Sequence, residues 1–272
     1  MKVHHYIAIE PQDVLLYEQA LIDFNLSEYV TLLELPFSNH GDGPGRARNW
    51  CWDHSIHIGA ESHWVLDDNI NDFYRLHHNE RIRVDSGAIF RASEDFVDRY
   101  ENVPVSGFQY RFFIDPNSKY PAFVKNCRIY SCLLIKNACK YRWRGRYNED
   151  TDLSLRVLKD GDCTIQFNAF LQDKVATQSV KGGNTEEFYH VEGNLDKSTW
   201  RGGTLNAEGT INKSQMLVDM HPDVATIVWR YGRVHHHVNY DPFKKNKLIL
   251  KPNQEILSGI NNYGMRLITN LK

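Results

Sequence analysis

Residues 64–70 read WVLDDNI, an apolar, strand-like run that stops in two carboxylates and an amide. Adjacent carboxylates repel, and in a partly dry site one of them is driven toward protonation unless a cation or a set of donors sits beside them. A positive partner is therefore expected at Asp67 and Asp68. Upstream, HYIAIE (5–10) has the pattern of a short strand and YVTLLELPF (29–37) that of a second. Between them PQDVLLYEQALIDFNL (11–26) places Val14, Leu15, Tyr17, Leu21 and Phe24 at helical spacing. HGDGPGRARNWCWDHSIHIG (40–59) then reads as a Gly-rich turn opening a second helix before the strand HWVLDD. Strand, helix, strand, helix, strand predicts a parallel, doubly wound α/β sheet, in which ligands lie beyond the carboxyl ends of the strands. Asp67 and Asp68 fall at such an end.

The middle of the chain predicts antiparallel additions to that sheet. SGAIFR (86–91), VSGFQYRFFI (105–114) and FVKNCRIYSCLLI (123–135) read as strands rich in β-branched and aromatic residues. NEDTDLSLRVLKDG (148–161) predicts a helix with Asn148 or Asp150 at its start, an apolar side at Leu153, Val157 and Leu158, and Gly161 at its end. CTIQFNAFLQ (163–172) returns as a strand, and a last strand pair is expected around TIVWRYGRVHHHVNY (226–240) and KLILKP (247–252). Residues 178–215 are polar and Gly-rich, the composition of a long loop or lid. There is no internal repeat and no break in composition. The expectation is one domain over 1–272.

At 272 residues, with 42% hydrophobic and 24% charged residues, the chain can bury an ordinary core. No apolar stretch approaches the ~20 residues that span a bilayer. The N-terminal segment lacks the basic and apolar regions of a secretion signal, so a cytoplasmic location is expected. Five cysteines without a CxxC pair read as reduced thiols rather than as a zinc or redox site. A net charge of −2 argues against coating nucleic acid over the whole surface. It leaves room for a local patch, and KYRWRGR (140–146) interleaves four cations with two aromatics.

Four groups of residues point to chemistry. Asp67 and Asp68 stand where a hard divalent ion bridging two phosphates would need oxygen ligands, although Asp and Asn are also common turn formers. Glu149 and Asp150 lie in the first turn of a predicted helix, where the macrodipole favours acids and where one of them could serve as a general base. In YGRVHHHVNY (231–240), His235 and His237 point to one face of a strand and His236 to the other, so at least one imidazole faces inward. In GDGPGRARN (41–49), glycines precede Arg46, Arg48 and Asn49 without the spacing of a Walker loop or a dinucleotide fingerprint, but such a turn can face a pyrophosphate.

In order and spacing these residues resemble the GT-A nucleotide-sugar glycosyltransferases over about residues 5–240. More narrowly, GPGRARNWCWDHS, WVLDDNI, YNEDTDLSLRVLKDG, KGGNTEEFY and GRVHHHVNY resemble the TET-associated glycosyltransferases, which are encoded mainly by bacteriophages. The resemblance implies a GT-A type, Rossmann-like mixed sheet flanked by helices, in a single domain with a nucleotide-binding half (1–75) and an acceptor-binding half (76–272). It implies transfer of a sugar from a nucleotide diphosphate sugar, foremost a UDP-sugar, to 5-hydroxymethylcytosine in DNA, with Mn or Mg as cofactor. For a phage-encoded enzyme the compartment would be the host cytoplasm. Carried over by position, Asp68 would bind the metal, Asp67 the ribose or the metal, and His236 would be the C-terminal ligand, with His235 or His237 as substitutes. Asp150 would be the catalytic base and Glu149 would place the acceptor. Arg46, Arg48 and Asn49 would hold the nucleotide, and Gly182, Gly183 and Asn184 would close over the donor. Asn69 stands where many members carry a third acid, which weakens its case as a direct ligand.

Overall fold

A computed structural model describes residues 3–38, 41, 43–175, 207–230 and 233–252. Gly182, Gly183 and Asn184 lie outside the described residues, as does most of the stretch read as a lid. The chain opens with β1 (His5–Ile9), α1 (Val14–Asp23) and β2 (Val30–Glu34). β1 and β2 pair in parallel, as a strand–helix–strand unit requires. The helical spacing of α1 is confirmed, but Leu15, Leu16, Ile22 and Phe24 are exposed rather than packed. Next come α2 (Gly45–His57), β3 (Ser62–Leu66), β4 (Ile70–His77), β5 (Glu80–Val84), α3 (Ala88–Asp98) and β6 (Val105–Tyr110). They are followed by β7 (Phe123–Lys125), β8 (Cys132–Lys136), α4 (Glu149–Lys159), β9 (Thr164–Lys174), α5 (Ala207–Met220), β10 (Ala225–Arg230) and β11 (Arg233–Val238).

The main sheet has the order β3-β8-β6-β9-β4-β5, with β7 beside β9. It is not the parallel doubly wound sheet that the alternation of elements suggested. β3 pairs antiparallel with β8, and among the described strands only β1/β2 and β6/β9 run parallel. The mixed sheet flanked by helices is that of a GT-A type α/β fold. The core explains why β8 is apolar at every buried position. Cys132 and Leu134 face α3 through Ile89, Phe90 and Val97, whereas Leu133 and Ile135 face Trp52 of α2 and Leu153 and Val157 of α4. A strand covered on both faces loses the polar half of its alternation.

Local readings change at several points, and FVKNCRIYSCLLI divides into β7 and β8 rather than forming one strand. SGAIFR begins α3 rather than a strand: Ala88, Ile89, Phe90, Ser93 and Val97 are buried along one helix, a period that six residues cannot display. TIVWRYGRVHHHV forms the β10–β11 hairpin by itself. KLILKP contributes only the bridge of Leu250 to Tyr100, since Asn102 takes up its backbone by accepting from the Ile249 N–H and donating to the Lys247 carbonyl. Residues 207–215, read as loop, belong to α5. Gly107 is fixed by contact, because a Cβ there would stand 2.1 Å from the Cys132 carbonyl oxygen and push β6 off β8. All five cysteines are free.

Strand direction then positions the site. β3, β6 and β9 run the same way, so their carboxyl ends, at Asp67, Tyr110 and Lys174, reach one edge of the sheet. β8 runs the other way, so Ser131, just before its first residue, arrives at that edge too. In β9 the register against β6 jumps between Phe108 and Gln109, whose partners are Phe167 and Leu171. Such a bulge bends a strand and re-aims its end, which here is Lys174.

Candidate active site

The first turn of α2 brings Arg48 to this edge from one side, and the first turn of α4 brings Glu149 and Asp150 from another. Arg48 Nη2 donates to Asp67 Oδ1 at 2.7 Å, and its Nη1 donates to Glu149 Oε1 at 2.9 Å and to Asp150 Oδ1 at 2.7 Å. The guanidinium also stacks on Trp143, 4.7 Å from the ring centre. Lys174 Nζ donates to Asp67 Oδ2 at 2.6 Å and to Ser131 Oγ at 2.8 Å. Ser131 closes the ring. Its N–H donates to Asp150 Oδ2 at 3.3 Å, and its hydroxyl lies 2.7 Å from that of Tyr110. Ser131 has φ +59°, a left-handed conformation unusual for a side chain larger than glycine, and such strain clusters at functional sites. Asn148, with φ +53°, enters α4 without a capping bond from its own side chain and instead donates to the Lys213 carbonyl of α5.

The charges do not balance. Three carboxylates, Asp67, Glu149 and Asp150, share two cations, Arg48 and Lys174, leaving one negative charge in excess. Burial alone would raise the pKa of Asp67, but Arg48 and Lys174 overcome it and hold the group below the usual carboxylate range. Burial acts most strongly on Asp150 as well. There Arg48 is the opposing cation, while Glu149 and Asp67 add repulsion, and the carboxyl is pushed up to about 7. Burial disfavours the charge on Arg48, yet the three acids more than offset it and keep the guanidinium above its ordinary pKa. The excess charge therefore settles on Asp150 as affinity for a proton.

The structure brings the predicted acids Asp67, Glu149 and Asp150 together, leaves Asp68 outside that cluster, and gives Arg48 carboxylate partners. Arg48, expected to hold a nucleotide, is committed to three carboxylates. Asn49, expected beside it, donates to the Trp143 carbonyl and accepts from the Trp143 N–H, each at 2.9 Å, and so pins a loop. Arg46 is exposed and lies over Phe37. Lys174, Ser131 and Tyr110 were missed. Lys174 had one signal, a cation closing a long alternating strand, but its partner lies more than a hundred residues away. The basic segment 140–146 is also changed in meaning. Lys140 pairs with Asp160, Arg142 with Asp53 and Arg144 with Asp152, and Trp143 is buried. Its tryptophan cannot stack on a nucleobase from inside the core.

For a metal, the donors divide. Both Asp67 oxygens already face cations. His236 lies on β11, where burial first, and then the nearby Arg128 and Lys213, lower its pKa to about 4. Among the described residues no three His, Cys, Asp or Glu side chains gather in a group that could hold an ion, so Asp67, Asp68 and His236 do not form one. Asp68 is exposed on the turn after β3, and the Oδ1 of the adjoining Asn69 is buried without a hydrogen-bond partner. A hard divalent ion can use one carboxylate and complete its shell with substrate phosphates and water. Asp68 fits that arrangement.

The family model of the TET-associated glycosyltransferases matches residues 1–183, about two thirds of the chain. No curated protein and no solved structure matches it. Among the described residues no helix is long and apolar enough to cross a membrane.

Proposed function

The chain belongs to the TET-associated glycosyltransferases, and from that premise we propose that it moves a sugar from a nucleotide diphosphate sugar to the hydroxymethyl group of 5-hydroxymethylcytosine in DNA. The observation that carries this reading is the buried carboxylate–cation cluster at the carboxyl edge of the sheet, with Asp150 tuned to about 7. A general base works best when its pKa lies near the working pH, and Asp150 meets that condition. It takes the proton of the acceptor hydroxymethyl as the oxygen attacks the anomeric carbon. Glu149, one residue earlier on the same Arg48 Nη1, orients the acceptor and keeps the Asp150 pKa high. Lys174 supplies positive charge at the edge where the departing diphosphate gathers negative charge, a form of stabilisation that dominates many such reactions. Asp68 would hold Mn or Mg, and that ion, when bound, would neutralise diphosphate oxygens. Arg46, an exposed side chain in the first turn of α2, would meet the nucleotide.

A second reading, the same transfer to a saccharide or protein acceptor, is favoured by the ion pairing of the 140–146 cations, which removes one expected contact with DNA. One experiment separates the two. The protein is incubated with DNA containing 5-hydroxymethylcytosine, Mn or Mg and a panel of nucleotide sugars, and the digested nucleosides are weighed. A mass gain of one sugar, absent with Asp150→Asn and Asp68→Ala, supports the DNA reading. Consumption of the donor only when a saccharide or protein is supplied supports the second.

A further inference from the structure

Strand β6 delivers Tyr110 to the site, and a single 3-10 turn, Arg111–Phe113, follows it directly. Phe112 is 87% exposed and Phe113 55% exposed. The two rings touch edge to face at 5.6 Å, Phe113 meets Tyr110 at 5.7 Å, and Tyr110 stacks on Tyr130 at 6.1 Å. Tyr110 in turn contacts Ser131, the residue that donates to Asp150. A continuous series of rings thus runs from solvent to the proposed base. Cations flank it: the Arg128 guanidinium lies 4.6 Å from the Tyr130 ring centre, Arg111 lies 4.5 Å from that of Tyr74, and Arg81 donates to the Arg111 carbonyl. Asp173 pairs with Arg111 at 3.2 Å, and Asp115 is bound within its own loop by Asn117 and Ser118.

Building on the DNA-acceptor reading above, we propose that Phe112 and Phe113 form the base-stacking contact for acceptor DNA, Phe112 entering the duplex where the target nucleotide leaves it. The chemistry of this surface selects the occupant. Exposed aromatic faces beside arginines suit bases and phosphates together, and base–aromatic stacking is indifferent to sequence. A base inside a duplex cannot bring its hydroxymethyl group to a buried carboxylate, so it must rotate out, at the cost of lost stacking. A phenyl ring in the vacated position offsets that loss, and the Tyr110–Tyr130 pair receives the extruded base beside Asp150.

The test uses a duplex with 2-aminopurine next to 5-hydroxymethylcytosine, whose fluorescence rises when its neighbour unstacks. The wild-type protein should raise the fluorescence and bind the duplex. Phe112→Ala should bind roughly tenfold more weakly and lose the rise, whereas Phe112→Trp should restore both. The melting temperature of each variant confirms folding, which a side chain so exposed should not disturb. Wild-type affinity and an undiminished rise with Phe112→Ala would overturn the proposal while leaving the DNA reading intact. If the wild-type protein bound no DNA, yet gained thermal stability from a nucleotide sugar, the DNA reading would fall and take this proposal with it.

Discussion

Asp150 carries the largest consequence of any single residue. Burial and the neighbouring acids push its carboxyl up to about 7, from an ordinary value of 3.8. Between those values the native state binds more protons than the unfolded chain, so Asp150 makes stability fall as pH rises through that window. Asp150→Asn lacks this group. Its melting temperature relative to wild type should climb from about pH 4 to about pH 7 and then level off, as scanning calorimetry would show; a flat difference would refute the assigned shift. Wild-type transfer should increase with pH and plateau above about 7, because the base must be ionised, and the variant should lose ~10² to 10⁴ in rate. Lys174 is the complementary case. Lys174→Met leaves three carboxylates with one arginine and removes a donor at the diphosphate edge, so transfer should drop by ~10² to 10³. Steady-state assays would check this, and a variant as active as wild type would remove Lys174 from the mechanism.

At the scale of elements, α4 has two separate duties. Its first turn offers Glu149 and Asp150 to the site, and the next acid, Asp152, is completely buried beneath it. Asp152 accepts from Arg144 at 3.0 Å, pairs with Arg156 at 2.7 Å and lies 2.9 Å from His221, which follows α5. Burial opposes its charge, but His221, Arg144 and Arg156 prevail and hold the carboxyl below its usual range. Its contribution to stability is therefore complete above the unfolded carboxylate pKa and is lost as pH falls through the lower native value. Asp152→Ala leaves the Arg156 guanidinium and the buried His221 ring without their shared partner and should cost about 3–5 kcal/mol. Denaturant unfolding at neutral pH would measure it, and a loss below about 1 kcal/mol would show that the lock matters little. α4 was legible in the sequence because its apolar side, acidic first turn and closing glycine agree. α3 was not, because its apolar start looks like a strand over six residues.

At the scale of the molecule, the unbalanced charge of the site should make ligand and stability inseparable. On the proposed reading a nucleoside diphosphate and Mn need the sheet edge, α2 and α4 assembled, so together they should raise the melting temperature by mass action. The rise should vanish with EDTA or with Asp68→Ala; a rise that survives EDTA would show binding without an ion, and one that EDTA abolishes but Asp68→Ala does not would place the ion elsewhere. How far the sequence anticipated this site follows from how far apart its parts stand. Asp67, Glu149 and Asp150, the acids that the structure gathers on Arg48, were visible through local pattern, carboxylates closing a strand or opening a helix. The partners of Arg48 were not, since an arginine on a helix gives no sign of whether it faces solvent or three acids.

The chain's local order of apolar and polar residues sufficed for the α/β class, the helix that presents Asp150, the strand that ends in Asp67, and the family. Those properties depend on periodicity and short motifs, which neighbouring residues carry among themselves. Tertiary structure alone decided that β3 lies antiparallel to β8, that Arg48 and Lys174 are the positive partners of the acids, and that Trp143 is buried. Pairing direction, ion partners and burial are set by segments that stand as much as 107 residues apart, where the summed packing of both sheet faces outweighs any local preference.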